Sequence, residues 1–262
     1  MTACAVFREE HIVTYLVVTN DDGIHAPGIL ALAQAMREIG EVQVIAPATN
    51  QSAVGHKKTL YQGIKVTEEV LADGTQAVAV GGSPADCIAM AALGLVKWPP
   101  SIVVSGINRG PNTGQDVTYS GTVSAALEST IQSLPAVAIS LDNRTANDIE
   151  DYREAARVAA VVVRQVLQRG LPPFTVLNVN IPNIPRVKGL RVTRQGISIY
   201  RDALVQDNGF YSIGGQEPTG VLDELGTDLW AVHHGYASVT PIHLDLTAHR
   251  LIADIINWDM EV

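Results

Sequence analysis

The sequence predicts an α/β fold in which a mostly parallel sheet flanked by helices is followed by an arm rich in β-hairpins. Three observations carry this. Short β-branched apolar runs alternate with segments of helical spacing from residue 12 to about residue 185, the pattern of strands joined by crossover helices. The early strands run into polar, glycine-containing loops. From Lys188 to Pro241 the pattern changes to short pieces containing Gly, Thr, Tyr and Val, suited to hairpins.

Ile12 to Thr19 reads as a buried first strand ending at Asn20-Asp21-Asp22-Gly23, after a leader (residues 1–11) without periodicity that reads as a frayed extension. Pro27 opens a helix in which Ile29, Leu32, Ala33 and Met36 form the apolar face, and Gly40 is expected at its C-cap. Glu41 to Ala46 is the next strand, so the opening is a right-handed β-α-β unit. Further strands are expected at Ala77–Val80, Ile102–Ser105, Ala136–Ile139 and Thr175–Asn180, with helices near Pro84–Val96, Thr122–Gln132 and Asp148–Arg169. In the last of these helices Ala155, Val158, Ala159, Val162 and Val166 make one stripe, which is core packing. A terminal helix is expected around Leu246–Trp258. The domain reading is a catalytic core over residues 1–187, and an arm with a C-terminal helix over 188–262 that packs on a second subunit or back over the site.

The 262 residues suffice for a full core, and 47% hydrophobic with 17% charged residues is the composition of a compact enzyme. No apolar run reaches the ~18 residues of a membrane span, and no secretory signal is evident, so a cytoplasmic address is expected. Cys4 and Cys87 do not form a disulfide framework or a cysteine zinc site. A net charge of −9 argues against stable binding to polymeric nucleic acid, although a bound cation can reverse the local field for a small anion.

Ligands of parallel α/β sheets bind beyond the carboxyl ends of the strands, where strand order reverses. Asp21 and Asp22 are predicted there, and Gly23 lets the chain turn so that both carboxylates can meet one ion. A helix cap and a solvated turn acid are the competing roles. The loops 47–58, 105–112 and 118–122 fall at predicted strand ends and are rich in Ser, Asn, Thr and Gly. Ser52 and Asn108 offer neutral oxygens that, with two carboxylates and water, would suit manganese or magnesium. Ser120, Gly121 and Thr122 open a helix, where free amides and hydroxyls can hold an anion or simply cap the helix.

Six segments resemble the SurE family, the survival-protein-E nucleotidases: VTNDDGIHAPGI (18–29), APATNQSAVGHKKT (46–59), GGSPADCI (81–88), VSGINRGPNTGQDVTYSGTVSAALES (104–129), LNVNIP (177–182) and GYASVTPI (235–242). They occur in the family's order and span nearly the whole chain. The resemblance places the family's metal ligands on Asp21, Asp22, Ser52 and Asn108, the residues the oxygen-ligand argument selects. It implies a Rossmann-like core, a hairpin arm exchanged between subunits of a homo-oligomer (dimer or tetramer), and hydrolysis of nucleoside 5′- and 3′-monophosphates. The leader before Ile12 departs from the family, whose first strand starts almost at the initiator Met, and this bears on the start site.

The mechanism expected is attack by a metal-activated water, with Asn20 and the 120–122 segment neutralising the phosphoryl oxygens and His56 as the better candidate for leaving-group acid. A phospho-aspartate route is disfavoured because that chemistry usually presents aspartates separated by one residue, and here they are adjacent. A non-catalytic nucleotide-binding or scaffold protein could use the same cleft. Neither GxGxxG after the first strand nor GxxxxGK[ST] is present.

Overall fold

The computed structural model describes residues 14–260. The leader, Cys4 and the first two residues of the expected first strand, Ile12 and Val13, lie outside the described residues. The chain runs β1 (Tyr15–Thr19), α1 (Pro27–Arg37), β2 (Glu41–Pro47), β3 (Val66–Val70), β4 (Gln76–Val80), α2 (Pro84–Met90) and β5 (Ile102–Arg109). It continues through α3 (Gly121–Ile131), β6 (Ala136–Asp142), α4 (Arg153–Arg169), β7 (Thr175–Pro182) and β8 (Leu190–Val192). Last come β9 (Ser198–Asp207), β10 (Phe210–Gly220), α5 (Asp228–His233), β11 (Ala237–His243) and α6 (His249–Ile255).

Nine strands form one sheet in the order β3-β4-β2-β1-β5-β6-β7-β11-β8. The strands from β4 to β7 in this order are parallel, and the chain builds outward from β1 first through β2 and β4, then through β5, β6 and β7. Strand order therefore reverses between β1 and β5, and the loops that follow these two strands open into one crevice. Alternation along β1 divides the core. Leu16 and Val18 pack on the face covered by α1 and α4, while Tyr15 and Val17 pack on the face of α2 and α3. The stripe Ala155, Val158, Ala159, Val162 and Val166 is buried as expected.

Several boundaries differ from the sequence reading, each for a local reason. Helix α1 ends at Arg37 with Glu38 at its C-cap. Gly40 instead allows a close approach, since a Cβ there would lie 2.1 Å from the carbonyl oxygen of Thr14. Helix α2 stops at Met90 and passes into one wider turn, Ala91–Leu95, that Gly94 ends at φ 110°. Asp148 caps a short 3-10 turn, Ile149–Tyr152, that leads into α4. Strand β3 was not expected because its sequence, VTEEV, is half exposed and acidic, which suits an antiparallel edge but mimics a loop.

The region after Lys188 does not leave the core as one piece. Strand β11 pairs antiparallel to β7 and β8 pairs parallel to β11, so both extend the main sheet. The protruding part is the antiparallel hairpin β9–β10. Trp230 sits half-buried in α5, stacked on His234 at 4.5 Å and on Tyr236 at 6.1 Å. No helix of the described residues is long and apolar enough to cross a membrane.

Candidate functional site

The turn after β1 is built by its own residues. Asn20 is fully buried; its side-chain NH2 donates to the Gly23 carbonyl at 2.9 Å and its oxygen accepts from the Gly23 amide at 3.2 Å. Gly23 sits at φ 105°, where a side chain would be strained and would crowd the Thr49–Asn50 backbone. Both side-chain ends of Asn20 are thus engaged in bracing the turn. This bracing uses one of the two side-chain N–H groups of Asn20, so the expected phosphate contact would fall to the other.

Each aspartate is tied to a different loop. Asp21 is buried, and its Oδ1 accepts the Thr122 hydroxyl, while its carbonyl accepts the Gln51 amide at 2.7 Å. Asp22 Oδ2 accepts the Arg109 amide at 2.9 Å. The loop before Ser52, the end of β5 and the start of α3 therefore all converge on the turn after β1. Gly121 makes the last approach possible, because a Cβ there would stand 2.8 Å from the Asp21 Cβ.

Burial raises the Asp21 carboxyl to about 7; the Thr122 hydrogen bond opposes the rise and the charge of Asp22 adds to it. Asp22 is also raised by burial, against the Arg109 amide and guanidinium. Two crowded, desolvated carboxylates form an environment that a cation would relieve.

Asp21, Ser52 and Asn108 line one cleft of about 260 Å³, together with Asn112, Tyr119 and Ser120. Asn108 donates its side-chain NH2 to the Gly110 carbonyl at 2.8 Å, which leaves Oδ1 without a hydrogen bond among the described residues. Ser52 is exposed, and its hydroxyl and amide both donate to Asn50 Oδ1, at 2.6 and 2.7 Å. Among the described residues no cluster of three or more His, Cys, Asp or Glu side chains could hold an ion. A cation here would accordingly be held by Asp21 and Asp22 with the neutral oxygens of Ser52 and Asn108, and this all-oxygen donor set fits a hard divalent ion.

The segment at the start of α3 divides its labour. Ser120 lines the cleft and its hydroxyl caps the helix by accepting from the Val123 amide at 3.1 Å. Thr122 is fully buried and its hydroxyl is spent on Asp21, so a direct phosphate contact by this hydroxyl is replaced by a positioning role. Thr122→Val is consequently expected to weaken manganese binding by about 10- to 100-fold, the loss of one hydrogen bond to a charged group of ~1.5–3 kcal/mol. Calorimetric titration of manganese checks it, and unchanged affinity would return Thr122 to a capping or phosphate role.

His56 does not line the cleft. Its Nε2 stands 3.0 Å from Glu128 Oε2 on α3, and Lys58 reaches the other oxygen of Glu128 at 2.8 Å. Burial pushes Glu128 up, but the His56 and Lys58 hydrogen bonds and charges outweigh it and hold the carboxyl below its usual range. The pair ties the 52–58 loop to the buried Glu128 and holds His56, expected as the leaving-group acid, away from the residues that line the cleft.

Residues that the sequence reading passed over also line the cleft. Arg109 and Arg144 do so without an ion-pair partner among the described residues, beside Asp116 and Pro218. Arg144 lies just beyond the carboxyl end of β6, an address that the crevice rule could have flagged.

A model of the family described as Survival protein SurE matches residues 16–202. The chain belongs to the SurE family. It is 47% identical over 252 residues to the 5′-nucleotidase SurE of Geobacter sulfurreducens, covering 94% of each chain. It is 48% identical over 244 residues to 5′-nucleotidase SurE 1 of Thermus thermophilus, covering 90% of this chain and 94% of that one. The SurE protein of Aquifex aeolicus, known from its crystal structure, superposes with a TM-score of 0.79 at 41% identity, covering 92% of this chain and 98% of that chain. Family membership thus agrees in extent with the sheet and crevice described above.

Proposed function

We propose that this SurE-family chain is a metal-dependent phosphomonoesterase that hydrolyses nucleoside 5′- and 3′-monophosphates to nucleoside and phosphate. The observation that carries the reading is the convergence of Asp21, Ser52 and Asn108 on one cleft that Ser120 of the α3 N-terminus also lines. The relatives named as 5′-nucleotidases support the substrate class. When bound, a manganese or magnesium ion supplies positive charge that attracts a phosphate dianion and makes water more acidic.

The residues of the chain do the remaining work. Asp21 and Asp22 provide the charged ligands, and Thr122 and the Arg109 amide orient them. Ser120 and the Gly121 backbone stand where the first turn of α3 presents amides and partial positive charge to an anion. Arg109 and Arg144 add positive charge on the cleft wall in a protein of net charge −9. The testing experiment is phosphate release from a nucleoside monophosphate. Turnover should vanish on exhaustive chelation and return with manganese, whereas a protein that only binds nucleotides would release none. Turnover that survives complete metal removal would defeat the metal-dependent reading.

The same reading includes a homo-oligomer joined through the hairpin. Leu204 and Ile213 stand directly opposite each other on β9 and β10, 74% and 85% exposed, and Phe210 at the start of β10 is 80% exposed. A two-stranded ribbon with bare apolar residues lacks a core of its own and gains one by packing on a second copy. Sedimentation at micromolar concentration is expected to show a dimer or tetramer, and Ile213→Asp should shift it toward monomer. A monomeric wild-type protein would refute the assembly.

A further inference from the structure

Between β2 and β3 the chain runs from Ala48 to Lys65 without a helix or strand. Connections this long are uncommon in a compact domain and are either functional or disordered. This one is tied to the rest of the molecule at several points. Ser52 lies near its start, and its hydroxyl and amide bond only to Asn50, inside the same loop. Its reach into the cleft therefore depends on what holds the residues on either side of it. The Gln51 amide donates to the Asp21 carbonyl at 2.7 Å, and the Gly55 amide donates to the Tyr119 carbonyl at 3.0 Å. Ala53 between them takes φ 57°, a left-handed conformation that a residue with a side chain keeps only where its surroundings enforce it.

Beyond Gly55 the loop meets two buried acids. Glu128 lies on α3, about two turns past Gly121, and is 2% exposed. Its Oε1 accepts from Lys58 Nζ at 2.8 Å and its Oε2 stands 3.0 Å from His56 Nε2. Among the described residues these two are the only hydrogen-bond partners of its side chain. Asp86 differs. It accepts the Thr59 amide and hydroxyl at 2.7 and 2.8 Å, but it also completes the capping box of α2 with Ser83. A buried carboxylate costs free energy unless it is paired. The pairing of Glu128 runs wholly to the loop, so its contribution is to hold the loop against α3.

Resting on the metal-dependent reading above, we propose that Glu128 is a positioning residue for the cation site, gripping His56 and Lys58 so that Ser52 stays within reach of an ion on Asp21 and Asp22. Helix α3 is then one rigid member that locates three parts of the site. Thr122 in its first turn orients Asp21, Ser120 at its N-cap lines the cleft, and Glu128 sets the loop of Ser52. From Gly121 to Glu128 the helix rises only about 10 Å, so a loop clamped at both the Tyr119 carbonyl and Glu128 moves with the helix. The neutral ligand is thereby placed without any bond from α3 to Ser52 itself.

The test is calorimetric titration with manganese alone on wild type, Glu128→Gln, Ser52→Ala and the double variant. Glu128→Gln keeps the shape of the side chain and removes the charge that holds both loop residues. It should weaken manganese binding by about tenfold, the low end for an outer partner of a metal ligand. Residues that act through one contact are not additive, so in the Ser52→Ala background the same substitution should change affinity by less than about twofold. A carboxylate that only stabilised the fold would give an equal loss with and without the Ser52 hydroxyl. That additivity would overturn the positioning role, as would unchanged affinity in Glu128→Gln. Should Glu128→Gln fail to fold, Lys58→Ala carries the same comparison from the partly exposed side of the pair. It removes one partner of two and should weaken binding by about threefold with Ser52 present and not in its absence, and an equal effect in both backgrounds would again overturn the role. Wild type that binds no manganese would overturn the metal-dependent reading instead.

Discussion

Asp21→Asn is expected to abolish nearly all turnover while making the metal-free protein more resistant to unfolding at pH 8. The first effect follows from losing one of two charged oxygens offered to the cation. Outer partners of metal ligands alone are worth about 10–100-fold, so removal of a charged ligand should cost about a thousandfold or more. The second effect follows from the burial that raises the Asp21 carboxyl to about 7 from the ordinary aspartate value of 3.8. Between these values the folded state holds a proton that the unfolded state has released. The stability of the metal-free protein therefore falls as pH rises through this window, and the penalty is complete above about 7. Asparagine cannot ionise, so the variant should gain about 2–4 kcal/mol at pH 8 and little at pH 4. Manganese affinity of wild type should correspondingly weaken as pH falls below about 7, because binding must displace that proton. Denaturant melts at the two pH values, together with phosphate release, check both parts. Full activity in the variant would sink the assignment, and a lower stability at pH 8 would show that the buried charge is compensated.

Gly28→Ala is expected to produce the largest loss of stability for the smallest chemical change. Gly28 lies in the first turn of α1, and a Cβ there would sit 2.1 Å from the Ile107 carbonyl oxygen and 3.0 Å from the Tyr152 ring. The first neighbour is backbone of β5 and cannot rotate away, so α1 must retreat from the sheet. Overpacking of this kind should cost about 3 kcal/mol or more, which lowers the melting temperature by about 6–12 °C in a chain of this size. Because α1 begins shortly after Gly23, its retreat should also disturb the turn that carries Asp21 and Asp22 and lower kcat. A melting temperature within a degree or two of wild type would refute the close approach.

Much of the architecture was legible because local rules act over short stretches. Alternating strand and helix periodicity located the central parallel strands and their helices, and the rule of strand carboxyl ends drew attention to the loops bearing Asp21, Ser52 and Asn108, which line one cleft. Strand β3 escaped notice because an acidic edge strand carries little hydrophobic signal. The return of β11 into the main sheet was hidden for another reason. Its partner β7 lies some sixty residues away in register, Val239 against Val179, and nothing in a local pattern names the neighbour.

Local sequence specifies what repeats or punctuates over short stretches: the β-α alternation, the polar loops at strand ends, the oxygen-rich donor types and the change of texture after Lys188. Tertiary structure decided what each of those polar groups does. Thr122 could cap a helix, hold a phosphate or orient Asp21, and the choice was made by a hydrogen bond spanning 101 residues. His56 could serve as an acid or an anchor, and Glu128, 72 residues away, made it an anchor. Asn20 could face a ligand or close its own turn, and burial under the converging loops committed its oxygen and one N–H to the turn. In each case the residue type fixes which bonds are possible, whereas the desolvation that forces a buried polar group to take a particular partner arises only when distant segments are packed together.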